Sequence, residues 1–125
     1  MKLKDRVAIV TGGGKGIGQE ICLGLVKEGA KIVIAEIDIE NSEKAKKKII
    51  EAGSEAIIIK TDVSNQKSIN EMVDQTIKHY GKIDILINNA GIRHVKKLLD
   101  HTKQDWDDMS SVNLTAPFLE SQAVI

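Results

Sequence analysis

The chain has 125 residues, with 18 basic and 18 acidic side chains and therefore a formal net charge of zero at pH 7. This length suits one domain with one core, and the 42% of apolar residues argues against a disordered chain. The balanced charge and the low aromatic content of 2% argue against nucleic-acid binding. Because the sequence has no run of roughly 20 apolar residues, no signal-peptide cleavage pattern and no second cysteine to pair with Cys22, it predicts a cytoplasmic protein with no membrane partner.

Short apolar runs alternate with longer amphipathic stretches along the chain. Four of these runs are rich in Ile, Val and Ala, which favours buried β-strands. The predicted strands cover residues 7–10, 31–35, 56–59 and 83–87. The first of them leads directly into a glycine-rich segment.

The stretches between the strands have the periodicity of helices. The first helix carries Ile17, Ile21 and Leu25 on its apolar face. It ends before Gly29, and glycine is the usual residue just beyond a helix because it adopts left-handed backbone angles without strain.

Three further helices are predicted downstream. The second covers residues 41–52, and the third takes Ser64 as its N-cap and ends before Gly81. The last begins at Thr102 and Asp105, which resemble a capping box with Asp in place of Glu, and runs towards the end of the chain.

The elements therefore follow the order β-α-β-α-β-α-β-α. Strands that are apolar on both faces and separated by helices form parallel sheets with helices on both sides. Right-handed crossovers then favour an α/β fold with a doubly wound, Rossmann-like sheet of strand order 3-2-1-4. Such sheets bind ligands at the carboxyl ends of strands one and four, where the order reverses.

The segment 11–18, Thr-Gly-Gly-Gly-Lys-Gly-Ile-Gly, joins the first strand to the first helix. Glycines there let the chain turn tightly and let a pyrophosphate approach the helix N-terminus, whose N–H groups and dipole attract anions. The residues expected to bind a dinucleotide here are Gly12, Gly14, Lys15, Gly16, Ile17 and Gly18. The spacing excludes a P-loop, and a glycine-rich turn without a ligand is the alternative interpretation.

Glu36 ends the second strand, eighteen positions after Gly18. A carboxylate at that spacing accepts hydrogen bonds from the adenosine ribose and repels a 2′-phosphate, so it favours NAD over NADP. Lys15 argues in the opposite direction, since a cation in the loop suits a 2′-phosphate. We give Glu36 the greater weight, with a solvated acid at a strand end as the alternative interpretation.

Four motifs resemble those of the short-chain dehydrogenase/reductase family. They are Thr11-Gly12-x-x-x-Gly16-x-Gly18, Asp62-Val63, Asn88-Asn89-Ala90-Gly91, and Trp106 followed by Val112-Asn113-Leu114. The resemblance covers essentially the whole chain but only the first half of the family's fold. It implies an NAD(P)-dependent oxidoreductase that transfers hydride between the nicotinamide and a small carbonyl or alcohol substrate, with 3-oxoacyl and sugar or polyol compounds as candidate classes.

The resemblance also implies roles for the residues that follow the third and fourth strands. Asp62 and Val63 are expected at the adenine, and residues 89–91 near the cofactor. A pair of asparagines at the end of a buried strand needs hydrogen-bond partners. We therefore interpret Asn88 as structural, joining neighbouring strand ends.

Asn113 matches the asparagine of the family's catalytic tetrad. Pro117 lies four residues later and has no N–H, so it cannot donate to the Asn113 carbonyl and should kink the helix. The freed carbonyl suits an ordered water, which the family is thought to use in a proton relay to its catalytic lysine. A polar residue on a partly buried helix is the alternative interpretation.

The family's chemistry also needs a Ser and a Tyr-x-x-x-Lys pair, in which the tyrosine is the general acid/base. The one tyrosine of this chain, Tyr80, is followed four residues later by Asp84 instead of Lys. The last helix has no stop signal, and the fourth strand would be a bare apolar edge. We therefore expect residues 1–125 to be a single NAD(P)-binding domain that is truncated before the catalytic segment.

The remaining polar groups carry weaker signals. The second helix has a basic run that we interpret as a solvated face: Lys44, Lys46, Lys47 and Lys48. The histidines lack the spacing of zinc ligands and are expected at the surface, so no metal is predicted: His79, His94 and His101.

Two other functions compete with the oxidoreductase. One is a non-catalytic or degenerate dinucleotide-binding module, and the other is a Rossmann-like domain for a different adenosine cofactor such as S-adenosylmethionine. The resemblance also raises a homo-oligomer as a partner, since the family usually assembles through its fourth and fifth helices.

Overall fold

The computed structural model describes residues 1–92 and 95–125. Its strands are β1 (Val7–Thr11), β2 (Lys31–Glu36), β3 (Ala56–Lys60) and β4 (Ile85–Ile87). All pairings are parallel, and the sheet has the order β3-β2-β1-β4. The predicted Rossmann-like topology is therefore confirmed, including the reversal of strand order between β1 and β4.

Helices follow each strand. They are α1 (Gly16–Lys27), α2 (Ile39–Glu51), α3 (Gln66–Tyr80), α4 (Lys103–Ser110) and α5 (Ala116–Val124). A 3₁₀ turn (Leu98–Asp100) precedes α4, and a π-helical turn (Ser111–Thr115) joins α4 to α5. Over the described residues, none of these helices has both the length and the apolar character needed to cross a membrane.

Side chains of the central strand alternate between two apolar layers. On one face of the sheet, Val10 packs with Cys22 of α1 and Ile49 of α2. On the other face, Ile9 belongs to the same cluster as Met72 of α3, and α5 also packs there. Because β1 is buried on both faces, its last residues are held in place at the carboxyl end of the sheet.

Two predicted boundaries differ from the structure by two residues. The second helix begins at Ile39 instead of residue 41, because the Asp38 carboxylate caps it by accepting a hydrogen bond from the N–H of Asn41 at 3.1 Å. The fourth strand begins at Ile85 instead of residue 83, since its pairing with β1 starts at Ala8.

The predicted N-cap of the third helix is wrong by one residue. Asn65 is the N-cap, and its side-chain oxygen accepts a hydrogen bond from the N–H of Ser68 at 3.1 Å. Ser64 instead donates its hydroxyl to Asp62 at 2.6 Å. Asparagine and serine have similar preferences for this position, so propensity alone does not separate them.

The buried face assigned to the first helix is also partly wrong. Ile17 is 75% exposed, whereas Gly18, Cys22 and Val26 form the buried line of α1. Ile17 lies in the first turn of α1, next to the glycine loop, where its side chain meets solvent instead of the core.

The last helix combines a confirmed start with an interruption. Thr102 and Asp105 form the predicted capping box, with each side chain accepting from the other's backbone N–H. Regular α-helix stops at Ser110, and within the π-helical turn the N–H of Ala116 bonds to the carbonyl of Ser111. The interruption lies just before Pro117 and is a π-helical turn that contains Asn113, whereas the predicted kink of the helix stays a prediction.

Asp84 fixes the start of β1 beside β4. Its carboxylate accepts hydrogen bonds from the N–H of Val7 at 2.8 Å and from Arg6 at 3.4 Å, and it pairs with Lys82 at 3.1 Å. The Val7 hydrogen bond, assisted by these two cations, holds the pKa of Asp84 below its ordinary value. Asp84 thus stabilises the strand pair whose opposite end carries the site.

Candidate functional site

A cleft of about 430 Å³ lies at the carboxyl end of the sheet, where the strand order reverses. Its walls come from the glycine loop, the ends of β2 and β3, the loop after β4, and the turn that follows α4. The lining residues are Gly12, Lys15, Gly16, Ala35, Glu36, Ile37, Thr61, Asp62, Val63, Asn89, Ala90, Gly91, Ile92 and Val112. This is the position predicted for a ligand.

Thr11, the last residue of β1, is the hydrogen-bonding centre of the cleft floor. Its buried hydroxyl donates to the carbonyl of Ile87 at 3.3 Å and lies 3.0 Å from the N–H groups of both Asn89 and Ala90. These bonds fasten the loop after β4 to the end of β1. Sequence reasoning missed this role, although a threonine that ends an otherwise aliphatic strand was an available signal.

Asn89 joins the two strand ends, whereas Asn88 had been assigned that role. The Asn89 side-chain amide donates to the carbonyl of Gly12 at 3.1 Å. Asn88 points to the other side of the sheet, where its amide lies 3.4 Å from the Ser121 hydroxyl on α5. Successive residues of an extended segment face opposite sides, so Asn89 both lines the cleft, as predicted, and joins the strand ends, whereas Asn88 does neither.

The glycine loop depends on glycine at three positions. Gly12 and Gly16 have φ angles of 66° and 58°, a left-handed conformation that other residues rarely adopt. A Cβ atom at Gly18 would lie 2.1 Å from the carbonyl oxygen of Gly12, so no larger residue fits without moving the backbone. The loop is therefore folded back closely against the first turn of α1.

The N-terminus of α1 has no side-chain cap. Lys15 occupies the N-cap position without capping, and the first turn holds no acidic residue. By contrast α2, α3 and α4 are capped by Asp38, Asn65 and Thr102. The first N–H groups of α1 therefore have no side-chain acceptor among the described residues, which is the arrangement expected where an anionic ligand supplies the acceptor.

The cleft is lined by both a carboxylate and an ammonium group. Glu36 ends β2 there, and its carboxylate accepts a hydrogen bond from the N–H of Asp38 at 3.3 Å. Lys15 lines the same cleft from the glycine loop. Gly14 lies behind them, where a Cβ atom would sit 3.0 Å from the Ser42 hydroxyl, so its role is to let the loop approach α2.

The loop after β3 is held in shape by its own side chains. The Asp62 carboxylate accepts hydrogen bonds from the N–H and the hydroxyl of Ser64, at 3.0 and 2.6 Å. The N–H of Asp62 donates to the Ser68 hydroxyl oxygen at 2.9 Å. Val63 is buried beside them, so the cleft has an apolar wall with a polar rim at this end.

Asn113 acts on the cleft through the backbone of Ile92. Its side-chain amide donates to the Ile92 carbonyl at 2.6 Å, and its side-chain oxygen accepts from the Ile92 N–H at 2.8 Å. This pair of bonds ties the loop after β4 to the π-helical turn. The side chain itself does not line the cleft, whereas the preceding residue, Val112, does.

Most of the predicted site residues meet in the cleft. Nine line it: Gly12, Lys15, Gly16, Glu36, Asp62, Val63, Asn89, Ala90 and Gly91. Four lie beside it without lining it: Gly14, Ile17, Gly18 and Asn113. Sequence reasoning missed five lining residues: Ala35, Ile37, Thr61, Ile92 and Val112. All five adjoin a predicted residue in the sequence, and that adjacency was the available signal.

Tyr80 lies outside the cleft. It ends α3, at the amino end of the sheet, and its buried hydroxyl has no hydrogen-bond partner among residues 1–92 and 95–125. Burial, followed by the charge of Glu55, raises the pKa of Tyr80 to about 12. A phenol placed there cannot serve a ligand at the carboxyl ends of the strands.

The histidines form no metal site in the part of the chain that the structure describes. His79 stacks edge-to-face on Tyr80, and the His101 ring lies 3.2 Å from the Lys96 carbonyl. His94 lies outside the described residues.

Comparison with known proteins finds a matching family and similar proteins with dehydrogenase or reductase names. Residues 6–125 match the short chain dehydrogenase family. The 5-keto-D-gluconate 5-reductase of Escherichia coli strain K12 is 39% identical over 122 residues, which cover 98% of this chain and 48% of that protein. A structure of NAD+-bound xylitol dehydrogenase has a TM-score of 0.94 at 33% identity, over 99% of this chain and 48% of that one.

A further solved structure carries the other nicotinamide cofactor. A short chain dehydrogenase from Burkholderia cenocepacia J2315 in complex with NADP has a TM-score of 0.94 at 34% identity, over 99% of this chain and 51% of that one. The chain spans about half the length of the curated relatives that it matches. From the family match over residues 6–125 and the glycine-loop cleft, this chain belongs to the short chain dehydrogenase family.

Proposed function

We propose that this chain is the cofactor-binding part of an NAD-dependent oxidoreductase of the short-chain type. The observation that carries the proposal is the cleft at the reversal of strand order, where the uncapped N-terminus of α1 meets Glu36 and the loop after β4. When bound there, the nicotinamide cofactor supplies a hydride or accepts one. The chain's own residues bind and orient it.

Each part of the cleft suits one part of a dinucleotide. The first N–H groups of α1 and the close backbone of the glycine loop suit the pyrophosphate. Glu36 suits the hydroxyls of the adenosine ribose, since a carboxylate accepts hydrogen bonds. Asp62 and Val63 combine a polar rim with an apolar wall, which suits the adenine, and residues 89–91 complete the floor.

We favour NAD over NADP because of Glu36. A carboxylate beside the ribose repels a 2′-phosphate, and repulsion of the wrong ligand is an effective source of specificity. Lys15 also lines the cleft, and its positive charge would attract a 2′-phosphate. The preference for NAD or NADP therefore depends on which of the two side chains lies nearer the 2′ position of the adenosine ribose.

Asn113 is proposed to serve the reaction in two ways. Its side chain positions the loop after β4 through the two hydrogen bonds to Ile92. Its backbone carbonyl lies four residues before Pro117, which has no N–H to donate, and we assign to this carbonyl an ordered water that takes part in proton transfer.

The chain alone is expected to bind the cofactor without turnover. Proton transfer in this family needs a tyrosine with a lysine four residues later, and Tyr80 lies at the wrong end of the sheet with Asp84 at that spacing. A non-catalytic dinucleotide-binding module therefore remains the second candidate for the chain by itself.

The substrate class is proposed to be a small carbonyl compound or secondary alcohol. The names of two relatives, a 5-keto-D-gluconate 5-reductase and a xylitol dehydrogenase, support sugar or polyol compounds, with 3-oxoacyl compounds as the alternative. We further propose a cytoplasmic location and assembly with further copies of the protein.

The test is calorimetric titration of the chain with NAD, NADP and S-adenosylmethionine. We expect NAD to bind more tightly than NADP, and S-adenosylmethionine not to bind. Glu36→Gln should narrow the difference in affinity between NAD and NADP. Glu71→Gln, on the exposed face of α3, is the matched control and should leave that difference unchanged. Binding of S-adenosylmethionine in place of both dinucleotides would overturn the proposal.

A further inference from the structure

A second hollow lies behind the glycine loop, between the N-terminal end of α1 and the outer face of α2. It has a volume of about 460 Å³ and shares Lys15 and Gly16 with the cleft. Its α2 wall carries Lys44, Lys47 and Lys48, which fall on one helix face because residues three and four apart are neighbours. We call the hollow lined by these four lysines the lysine groove.

The lysine groove has an excess of positive charge. Against the four ammonium groups, Glu51 is the one carboxylate among its lining residues. Lys44 has a loose partner in Glu40 at 4.0 Å, and both side chains are mostly exposed. Lys48 donates to a neutral amide oxygen on α1 at 3.3 Å, and Lys47 has no ion pair within residues 1–92 and 95–125. Weak surface pairs of this kind leave the charge largely uncompensated.

Lys44, Lys47 and Lys48 of the basic run on α2 are exposed, as predicted for a solvated face, and Lys44 pairs with Glu40 one turn away. These three lysines border a concave space whose opposite wall is the glycine loop and Gln19 of α1. Lys46, the fourth member of the run, lies outside the groove.

We infer that the lysine groove is a binding site for a phosphate group, with Lys44 and Lys47 as its main ligands. Several ammonium donors that border one space match the oxygens and the double negative charge of a phosphate. A purely apolar ligand would leave those charges without partners.

Two sources of phosphate fit the groove. One is a dinucleotide held in the adjoining cleft, whose 2′-phosphate would reach the end of the groove beside Lys15. The other is a free phosphorylated small molecule, which suits the far end. From Asn41 to Glu51 the groove follows α2 for about 15 Å at 1.5 Å per residue, so Lys47 lies nearly a turn beyond Lys44.

The test uses inorganic pyrophosphate as the probe, titrated into the chain at constant ionic strength and followed through the backbone amide resonances of α2. Lys47→Gln should weaken pyrophosphate binding about tenfold or more, because it removes a charge-assisted ligand. Lys46→Gln is the matched control, since it removes the same charge one residue away, outside the groove. We expect it to change the affinity by less than about twofold.

Lysine and glutamine have similar helix propensities, so both variants should keep the circular dichroism spectrum and melting temperature of the parent chain. If both variants weakened pyrophosphate binding equally, the binding would reflect non-specific attraction to surface charge, and the inference would be overturned. Failure of pyrophosphate to bind more tightly than chloride would overturn it as well.

A second arm identifies the source of the phosphate. Displacement of pyrophosphate by saturating NADP but not by NAD would identify the dinucleotide, and displacement by neither would identify a free phosphorylated molecule. Both results support a phosphate site in the groove. Displacement by both dinucleotides would place the pyrophosphate at the N-terminus of α1, where the cofactor's own pyrophosphate is proposed to bind, and would overturn the inference. The comparison of Lys47→Gln with Lys46→Gln contains no dinucleotide, so its outcome is distinguishable from failure of the proposed cofactor to bind.

Discussion

Glu120 is a carboxylic acid at the centre of the buried face of α5. It is 1% exposed. Its neighbours on the helix, Leu119 and Ala123, pack against the cluster that contains Ile69 and Met72 of α3. Burial in these surroundings raises the pKa of Glu120 from its ordinary value of 4.5 to about 7.

The raised pKa makes folding depend on pH in a defined direction. Between pH 4.5 and about 7, the unfolded chain loses the Glu120 proton while the folded chain keeps it, so the free energy of unfolding falls as the pH rises. Each unit of difference between the two pKa values is worth about 1.36 kcal/mol, which gives up to about 3 kcal/mol at pH 8. Below pH 4.5 this loss is absent.

Glu120→Gln removes the titration and keeps the shape of the side chain. We expect the variant to exceed the parent chain by up to about 3 kcal/mol in unfolding free energy at pH 8, and to differ little at pH 4.5. In urea unfolding followed by circular dichroism, that gain moves the midpoint by about 1–3 M. The control is Glu71→Gln, on the exposed face of α3. An equal difference between variant and parent chain at both pH values would refute the reasoning.

Three further substitutions test the framework around the cleft. Asp84→Asn should lower the unfolding free energy by about 1–2 kcal/mol at neutral pH, because the amide forms a weaker hydrogen bond with the N–H of Val7. Since the pKa of Asp84 is lowered in the folded chain, the difference in unfolding free energy between parent and variant should narrow as the pH falls below 3.8. A difference that stays constant with pH in urea melts would contradict this. Gly18→Ala places a methyl group 2.1 Å from a carbonyl oxygen and should destabilise by about 1–3 kcal/mol, whereas Gly24→Ala, in open space on the same helix, should stabilise by about 0.5–1 kcal/mol in thermal melts. Thr11→Val removes the acceptor for two N–H groups and should destabilise by about 1–3 kcal/mol, whereas Thr11→Ser should recover most of the loss; equal effects would show that the hydroxyl is not the cause.

The architecture was predictable because its signals are local. Aliphatic strands that alternate with amphipathic helices favour a parallel sheet, and the glycine loop after the first strand marks the end at which a ligand binds. Helix starts were less certain, since several capping residues are nearly equivalent. Asn65 and Ser64 are adjacent and both suitable, and only the structure shows that Ser64 is engaged with Asp62.

The site was predictable at the level of segments but not of individual contacts. The pair of asparagines after β4 indicated a hydrogen-bonding role, yet which of them joins the strand ends depends on the direction of each side chain. The role of Asn113 in the chemistry stays a prediction, and the structure adds that its side chain bonds to the backbone of Ile92. Such a contact joins residues twenty-one positions apart, and no local pattern encodes it.

The sequence by itself determined the element order, the parallel sheet and the loop that turns into α1, because hydrophobic periodicity and glycine placement act over a few residues. The tertiary structure decided which polar groups lose contact with water and which gather in space. Glu120 sits in an otherwise apolar helix face, and Lys44 and Lys47 look like an ordinary exposed run until α1 is placed opposite them. Burial and the gathering of charge depend on elements distant in sequence, so they arise only when the helices pack on the sheet.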